Sequence, residues 1–94
     1  MMNALSENEI SEKLKTLDGW SAEGDKIGKE FEFENFKAAL AFLVRVGFEA
    51  ESLGHHPEIF NVYNSVSIKL STHDAGGKVT QKDIDLANAI ENIK

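Results

Sequence analysis

The pattern of apolar and polar positions begins with a helical segment. Ser6 and Glu9 have the spacing of a capping box, in which each residue satisfies a free backbone N–H group at the start of a helix. Apolar residues then recur at helical intervals, at Ile10, Leu14 and Leu17. Asp18-Gly19 interrupts the pattern. The sequence therefore predicts a first helix that begins at Ser6 and ends before Gly19.

Two short extended segments follow this helix. Residues 20–23 are typical of a strand, and residues 24–26 are typical of a turn. In the next strand the apolar residues fall on one side, at Ile27, Phe31 and Phe33. Lys29 falls on the same side, which is an unusual position for a charge. The pattern predicts a β-hairpin.

The longest apolar pattern predicts a second helix. Asn35 can cap its start, and Gly54 can end it just after Leu53 in the left-handed conformation. One apolar stripe contains Phe36, Leu40, Leu43, Gly47, Ala50 and Leu53. Phe42 and Val46 lie beside this stripe, so the apolar surface is wider than one core contact requires. Two interpretations stay open: a deeply buried helix, or a helix that also contacts a partner subunit.

A second hairpin and a third helix complete the pattern. Alternating residues predict strands around Ile59–Tyr63 and Val66–Leu70, with Asn64 near the turn; residues 74–79 predict a loop. Thr80 and Asp83 again have capping-box spacing, and a helix continues to the C-terminus. The predicted class is α+β, in the order α-β-β-α-β-β-α, with helices packed on one face of an antiparallel sheet.

Composition and charge narrow the possible functions. A chain of 94 residues predicts a single domain over residues 1–94. The formal net charge of −6, without a run of Lys or Arg, argues against binding to nucleic acid or to an anionic membrane. With no cysteine, disulfides, thiol nucleophiles and cysteine-based metal sites are excluded. No segment is typical of a signal peptide or a membrane span, so we expect a cytoplasmic protein.

The three histidines are the main candidates for chemistry. His55 and His56 follow Gly54 at the predicted helix end, and Pro57 restricts the backbone of His56. Glu51 precedes His55 by one helical turn, so its carboxylate could accept a hydrogen bond from a ring N–H and set the tautomer. A polar helix end without function is the competing interpretation.

His73 follows the last predicted strand and could act with this pair or complete a metal site. A metal site would use the three histidines and a carboxylate such as Asp74. The spacing argues against it, because ligand pairs usually lie four residues apart on a helix or two apart on a strand. Ser71, Thr72, Tyr63 and Asp83 each have an ordinary structural explanation. Motifs for a serine nucleophile or a phosphate loop are absent, which favours acid–base chemistry by imidazoles near neutral pH.

Taken together, these residues resemble the signature of the pterin-4a-carbinolamine dehydratases. In that family an acidic or polar residue precedes a His-His-Pro, and an aromatic residue, a second His and an Asp follow at set distances. The matching positions here are Glu51, His55, His56, Pro57, Tyr63, His73 and Asp83. The likeness covers nearly the whole chain. Ile59 stands where the family often has Trp, from which we expect altered packing around the pocket.

The resemblance implies a fold and a reaction. The fold would place three helices on one side of a four-stranded antiparallel sheet. The reaction would be dehydration of a 4a-hydroxytetrahydropterin to a quinonoid dihydropterin, which recycles the cofactor of aromatic amino acid hydroxylases. No metal and no organic cofactor would be needed.

The resemblance also implies roles for individual residues. His55, His56 and His73 would be the catalytic residues, with His55 and His73 at the reacting edge of the pterin. Substrate contacts would come from the same three histidines together with Pro57, Thr72, Asp74 and Ala75. Glu51 would orient His55, and Asp83 would lie behind the site as a charge or a helix cap.

Family members are homo-oligomers, so the resemblance implies a dimer or a tetramer. Some animal members also act as dimerisation cofactors of a homeodomain transcription factor, through the same long helix that builds the homotetramer. A protein-interaction module that uses this helix is therefore the alternative function.

Overall fold

The order of helices and strands is the one that the sequence predicts. The computed structural model describes residues 3–94. Its helices and strands are α1 (Glu7–Leu14), β1 (Ser21–Glu23), β2 (Lys26–Glu32), α2 (Phe36–Leu53), β3 (Glu58–Val62), β4 (Ser65–Leu70) and α3 (Gln81–Ile93). A short 3₁₀ helix, His73–Ala75, lies between β4 and α3. This turn occupies the start of the segment that was predicted as a loop.

The four strands form one antiparallel sheet in the order β1-β2-β4-β3. Strand β4 therefore lies inside the sheet, and β3 lies at its edge. The alternation predicted for β4 is confirmed, because Val66, Ile68 and Leu70 are fully buried. Ile27 and Phe31 of β2 are buried in the same core.

All three helices contribute to this core. Helices α2 and α3 place buried apolar residues in it, and Ile10 and Leu14 of α1 pack against it. Helix α2 contacts both α3 and β4. The opposite side of the sheet carries polar residues such as Glu30 and Ser67, which are not buried. The fold is the predicted α+β architecture.

The capping signals at the helix starts are confirmed, but α1 ends at Leu14 and not at the predicted Asp18-Gly19. Glu9 N–H donates to Ser6 Oγ, and Ser6 N–H donates to Glu9 Oε1, at 3.1 and 2.8 Å. The hydrogen bond from the Ser6 backbone holds the pKa of Glu9 below its usual value. Asn35 Oδ1 accepts Ala38 N–H at 2.9 Å at the start of α2. The ends of these helices are therefore encoded by short-range chemistry.

The deeply buried helix, one of the two interpretations left open for α2, does not hold for most of the apolar stripe described above. The buried residues are Ala39, Phe42, Val46 and Ala50. Phe36, Leu40 and Leu53 are between 44% and 47% exposed. Val44 and Phe48 extend this exposed apolar surface, and Phe48 is 72% exposed. Helix α2 thus has one apolar stripe in the core and a second one facing outward.

The charge on the apolar side of β2 is explained by an ion pair beneath the sheet. Lys29 Nζ donates to Glu91 Oε2 of α3 at 2.8 Å and to the Asp18 carbonyl at 2.7 Å. Trp20 Nε1 donates to the same Glu91 oxygen at 2.9 Å. Burial alone would raise the pKa of Glu91, but the hydrogen bonds from Lys29 and Trp20 outweigh it and hold that pKa below its usual value.

The turn of the second hairpin differs from the prediction at one residue. Tyr63 was predicted to alternate within the strand, but β3 ends at Val62. Tyr63 lies in the turn with a φ of +48°, in the left-handed region. The predicted position of Asn64 is confirmed, and Asn64 Nδ2 donates to the Phe33 carbonyl at 3.0 Å.

Within residues 3–94, no helix has both the length and the apolar composition needed to span a bilayer.

Candidate active site

The candidate site forms where the end of α2, the end of β4 and the start of α3 meet. Helix α2 stops at Gly54, whose φ of +63° and ψ of +32° turn the chain in the left-handed sense. Gly54 N–H donates to the Glu51 carbonyl, and His55 N–H donates to the Ala50 carbonyl at 3.0 Å. These bonds satisfy the last free carbonyls of the helix and fix the backbone that carries His55.

His55 is buried and paired with a buried carboxylate. Its ring is 8% exposed, and its Nε2 lies 2.5 Å from Asp83 Oδ1. Asp83 is completely buried in the first turn of α3. A carboxylate bound to one ring nitrogen fixes the ring orientation and the tautomer. The other ring nitrogen of His55, Nδ1, takes no part in the contact with Asp83.

Asp83 is itself held by groups on two elements. Its Oδ2 accepts the Thr80 N–H at 2.9 Å, which is one half of the predicted capping box, and the Thr72 hydroxyl at 2.8 Å. The Thr72 and Thr80 hydroxyl oxygens are 2.7 Å apart. Asp83 was expected as a helix cap or a charge behind the site, and its side chain does both.

The predicted partner of Glu51 was wrong. Glu51 Oε1 lies 2.9 Å from His56 Nε2, and the carboxylate that contacts His55 is Asp83. The Glu51 and His56 side chains are 79% and 69% exposed. The reversal follows from the helix end: the left-handed Gly54 sends His55 inward and leaves His56 on the surface beside the last turn of α2.

His73 reaches the site from the other side, in the 3₁₀ helix after β4. Backbone bonds hold this turn: Thr72 N–H donates to the Lys78 carbonyl at 2.8 Å, and the Thr72 carbonyl accepts Ala75 N–H and Gly77 N–H, both at 3.0 Å. Gly77 has a φ of +78°, which a glycine adopts without strain. The His73 side chain is exposed.

A cavity of about 240 Å³ brings these groups together. It is lined by Gly54, His55, His56, Ser71, Thr72, His73, Asp74 and Lys82. All three histidines of the chain thus border one space. Pro57 and Ala75, predicted as substrate contacts, are outside this lining, as are Glu51 and Asp83, which contact His56 and His55.

Gly54, Ser71 and Lys82 line the cavity but were not predicted as site residues, and Lys82 is the charged one among them. It is exposed in the first turn of α3, directly before Asp83. A second cavity of about 200 Å³, lined by Leu53, His55, Lys82 and Asp85, adjoins the first at His55 and Lys82. The signal that could have found Lys82 is its position directly before Asp83 in the sequence.

A larger cavity of about 340 Å³ lies at the edge of the sheet, but its chemistry is different. Its lining is Glu58, Ile59, Phe60, Ser67 and Lys69, which includes no histidine. Ile59 belongs to this cavity and not to the histidine cavity, contrary to the expected effect on pocket packing. Within residues 3–94, no group of three or more His, Cys, Asp or Glu side chains is arranged to hold a metal ion.

The geometry suits proton transfer to and from a small polar ligand. Three imidazoles border the space; one has a fixed ring, and the other two are exposed to solvent. Imidazole is the side chain whose ordinary pKa allows it to donate and accept protons near neutral pH.

Comparison with known proteins identifies the family. Residues 3–93 match the family model described as Pterin 4 alpha carbinolamine dehydratase. The chain belongs to this family. A relative from Christiangramia forsetii, assigned as a pterin-4-alpha-carbinolamine dehydratase, is 55% identical over 93 residues, which cover 99% of this chain and 95% of the relative. A similarly assigned protein from Opitutus terrae is 48% identical over 93 residues, covering 99% and 96% of the two chains.

A solved structure of the family supports the fold. The crystal structure of a transcriptional coactivator/pterin dehydratase from Brucella melitensis has a TM-score of 0.91 to this chain and 41% sequence identity. The match covers 97% of this chain and 98% of the Brucella chain. The resemblance of the sequence to this family is therefore confirmed.

Proposed function

We propose that this chain catalyses the dehydration of a 4a-hydroxytetrahydropterin, the pterin-4a-carbinolamine, to quinonoid dihydropterin and water. The observation that carries the proposal is the single cavity bordered by His55, His56 and His73 in a chain of this family. Its volume of about 240 Å³ suits a small heterocycle, since pockets for drug-sized ligands measure about 300–1,000 Å³.

The reaction needs one proton delivered and one removed. The C4a–O bond breaks, and the leaving oxygen takes a proton from one imidazole to form water. A second imidazole accepts the N5 proton, and the electrons of the N5–H bond form the N5–C4a double bond. The first imidazole has lost a proton and the second has gained one, so exchange through water restores both. Each proton transfer contributes about 10²–10⁴-fold to the rate.

We assign these two transfers to His55 and His73, in an order that stays open. The fixed ring of His55 presents Nδ1 for exchange, because Asp83 occupies Nε2. His73 borders the cavity from the 3₁₀ helix. His56 holds the pterin or serves as an alternate acid. Contacts to the pyrimidine edge come from Asp74 and from backbone groups of the His73–Ala75 turn, while Pro57 stays a predicted contact.

The physiological role follows from the product. Quinonoid dihydropterin can be reduced to tetrahydropterin, so the reaction would recycle the cofactor of aromatic amino acid hydroxylases without a metal or an organic cofactor of its own. This role and a cytoplasmic location stay predictions from the sequence.

The test is a coupled dehydratase assay. A hydroxylase generates the 4a-hydroxytetrahydropterin in place, and ultraviolet absorbance follows its decay with wild-type protein, His55→Ala, His73→Ala and no protein. We expect the wild type to accelerate the decay, and each variant to lose about 10²-fold in kcat. Circular dichroism checks that the variants are folded. A folded wild type without acceleration would refute the proposed reaction, and unchanged turnover in both variants would refute the assigned residues.

The outward stripe of α2 supports a second proposal, that copies of this chain assemble through it. Phe36, Leu40, Val44 and Phe48 are between 46% and 72% exposed along this helix. Gly47 lies on the same side, and a Cβ built on it would meet nothing within 4 Å. A glycine inside a helix costs about 1 kcal/mol relative to alanine, but it lets a second helix approach closely. A helix from another copy accounts for both features.

Native mass spectrometry at micromolar concentration tests this assembly. We expect a dimer or a tetramer for the wild type, and dissociation in Phe48→Glu, which places a charge in the apolar stripe. Lys37→Glu is the control, because Lys37 is an exposed residue of α2 that is already charged. A monomeric wild type would refute self-assembly and would favour the alternative, a stripe that binds another protein.

A further inference from the structure

We propose that the Thr72 hydroxyl is a positioning group for catalysis, which aligns Asp83 and through it the ring of His55. The inference rests on the proposed function, because it assumes that His55 transfers a proton. It also changes the expected role of Thr72 from substrate contact to internal support.

The polar groups of Thr72 are already engaged within the protein. The residue is 4% exposed. Its N–H and C=O bind the loop after β4, and its hydroxyl contacts Asp83 Oδ2 and Thr80 Oγ1 at 2.8 and 2.7 Å. A substrate could use only the remaining lone pair of the hydroxyl oxygen without displacing one of these bonds. Thr72 is therefore better suited to hold the site than to bind the pterin.

The direction of these bonds can be assigned from proton counting. An ionised carboxylate only accepts hydrogen bonds, so the single hydroxyl proton of Thr72 must point to Asp83. Thr80 must then donate its own hydroxyl proton to Thr72 Oγ1. Thr80 Oγ1 in turn accepts the Lys82 N–H at 3.2 Å. The result is a one-way chain of donors from the start of α3 to Asp83, the carboxylate that holds His55.

This series of hydrogen bonds leaves one oxygen of the Asp83 carboxylate for His55. Oδ2 takes the Thr72 hydroxyl and the Thr80 N–H, and Oδ1 faces Nε2 of the ring. Two donors on one oxygen fix the plane of the carboxylate and stabilise its ionised form. Without the Thr72 hydroxyl, only the Thr80 N–H would remain on Oδ2, and the carboxylate would be held less firmly against the ring.

Other titratable groups border the two cavities beside His55, and a substitution at Thr72 leaves them unchanged. They are His56 and Glu51 at the end of α2, His73 and Asp74 in the 3₁₀ helix, and Lys82 and Asp85 on α3. None of them contacts the Thr72 hydroxyl, whose partners are Asp83 and Thr80. A change confined to this hydroxyl therefore reports on the pair of Asp83 and His55.

The test compares Thr72→Val, which removes the hydroxyl with little change of shape, with Thr72→Ser, which keeps it. For Thr72→Val we expect kcat to fall about tenfold, since a hydrogen bond to a charged group contributes about that factor. KM should stay within about twofold. The pH–rate profile should differ from that of the wild type, because the altered group lies beside the carboxylate that contacts His55. Thr72→Ser should restore most of kcat and the wild-type profile.

Controls separate this inference from a structural role and from the proposed function. Thr16→Val removes an exposed hydroxyl that donates to the Lys13 carbonyl, and should leave kcat and the profile unchanged. A folded Thr72→Val with wild-type kcat and profile, beside an active wild type, would overturn the inference alone. An inactive wild type would overturn the proposed function and this inference with it. If Thr72→Val does not fold, Thr80→Val must change the profile relative to the wild type, and no change would overturn the inference.

Discussion

Helix α3 carries a carboxylate near each end, and the two have different roles. Asp83 in the first turn accepts bonds from Thr72 and Thr80 and pairs with His55. Glu91 near the other end pairs with Lys29 and Trp20. The two residues are eight positions apart, or about 12 Å along the helix. Both are held by donors from other elements, so burial and pairing alone do not distinguish a site from a structural ion pair.

The difference lies in the partner and in the space beside it. His55 can exchange protons near neutral pH and borders a cavity. Lys29 instead pairs with Glu91, and its ammonium lies 5.0 Å from the centre of the Phe31 ring, beneath the sheet. A buried carboxylate indicates chemistry when its partner titrates in the working range and a ligand can reach that partner.

The strongest way to break this comparison is Asp83→Asn. The amide can still accept from Thr72 and Thr80, but it would then present an N–H to His55 and hold the ring in the opposite tautomer. We expect kcat to fall about 100-fold or more, measured in the coupled dehydratase assay. Glu91→Gln is the matched control on the same helix and should keep kcat within about twofold. Equal losses in the two variants would contradict the distinction.

Loss of the ion pair between Lys29 and Glu91 should lower the free energy of unfolding and leave kcat unchanged. Lys29→Met leaves Glu91, which is 19% exposed, without its main cation. Removing one partner of a buried pair costs about 3–5 kcal/mol, and partial exposure reduces this to about 2–3. Urea unfolding should show the loss, while kcat of the folded variant stays unchanged. Lys26 lies on the same strand as Lys29 and forms an exposed pair with Glu58 of β3. Lys26→Met, which breaks this pair, should cost less than about 1 kcal/mol.

Acid should weaken the Glu91 pair in a defined direction. The pKa of Glu91 is lowered in the folded protein, although burial opposes this, because Lys29 and Trp20 bind the ionised form. Its stabilising contribution is therefore present above the ordinary value of 4.5 and is lost as the pH falls through the lower folded value. The difference in free energy of unfolding between wild type and Glu91→Gln should shrink from pH 7 to pH 3. A constant difference would contradict this cause.

The smallest effect is expected at the exposed pair of Glu51 and His56. Exposed ion pairs contribute about 0–1 kcal/mol, and these side chains are 79% and 69% exposed. Glu51→Gln should change kcat less than about threefold and stability less than about 0.5 kcal/mol. A loss as large as that of Asp83→Asn would move the orienting role back to Glu51, where the sequence had placed it.

Short-range signals predicted the helix ends and the order of elements. Capping boxes and the left-handed glycine act within three to five residues, so Ser6, Asn35, Gly54 and Thr80 could be identified from spacing. The family signature then grouped His55, His56, His73 and Asp83. These parts of the fold and the candidate site depend on local chemistry or on a pattern along the chain.

Long-range partners could not be predicted in the same way. His55 and Asp83 are 28 positions apart, and Lys29 and Glu91 are 62 apart, so spacing carries no information on their contacts. On α2 both stripes are apolar, and hydrophobicity could not decide which one meets the core. At Tyr63 the alternation continued one residue beyond the strand, because a turn residue can match the period by chance.

The carboxylate of Asp83 closes the start of α3 and holds His55 at the same time. The amide hydrogen of Thr80 is donated to this carboxylate, so its exchange with deuterium requires the carboxylate to release it. A single backbone amide thus reports how often Asp83 leaves its place at the start of α3. Because Oδ2 takes the Thr80 amide while Oδ1 faces His55, release of this cap would also free the carboxylate that holds the His55 ring.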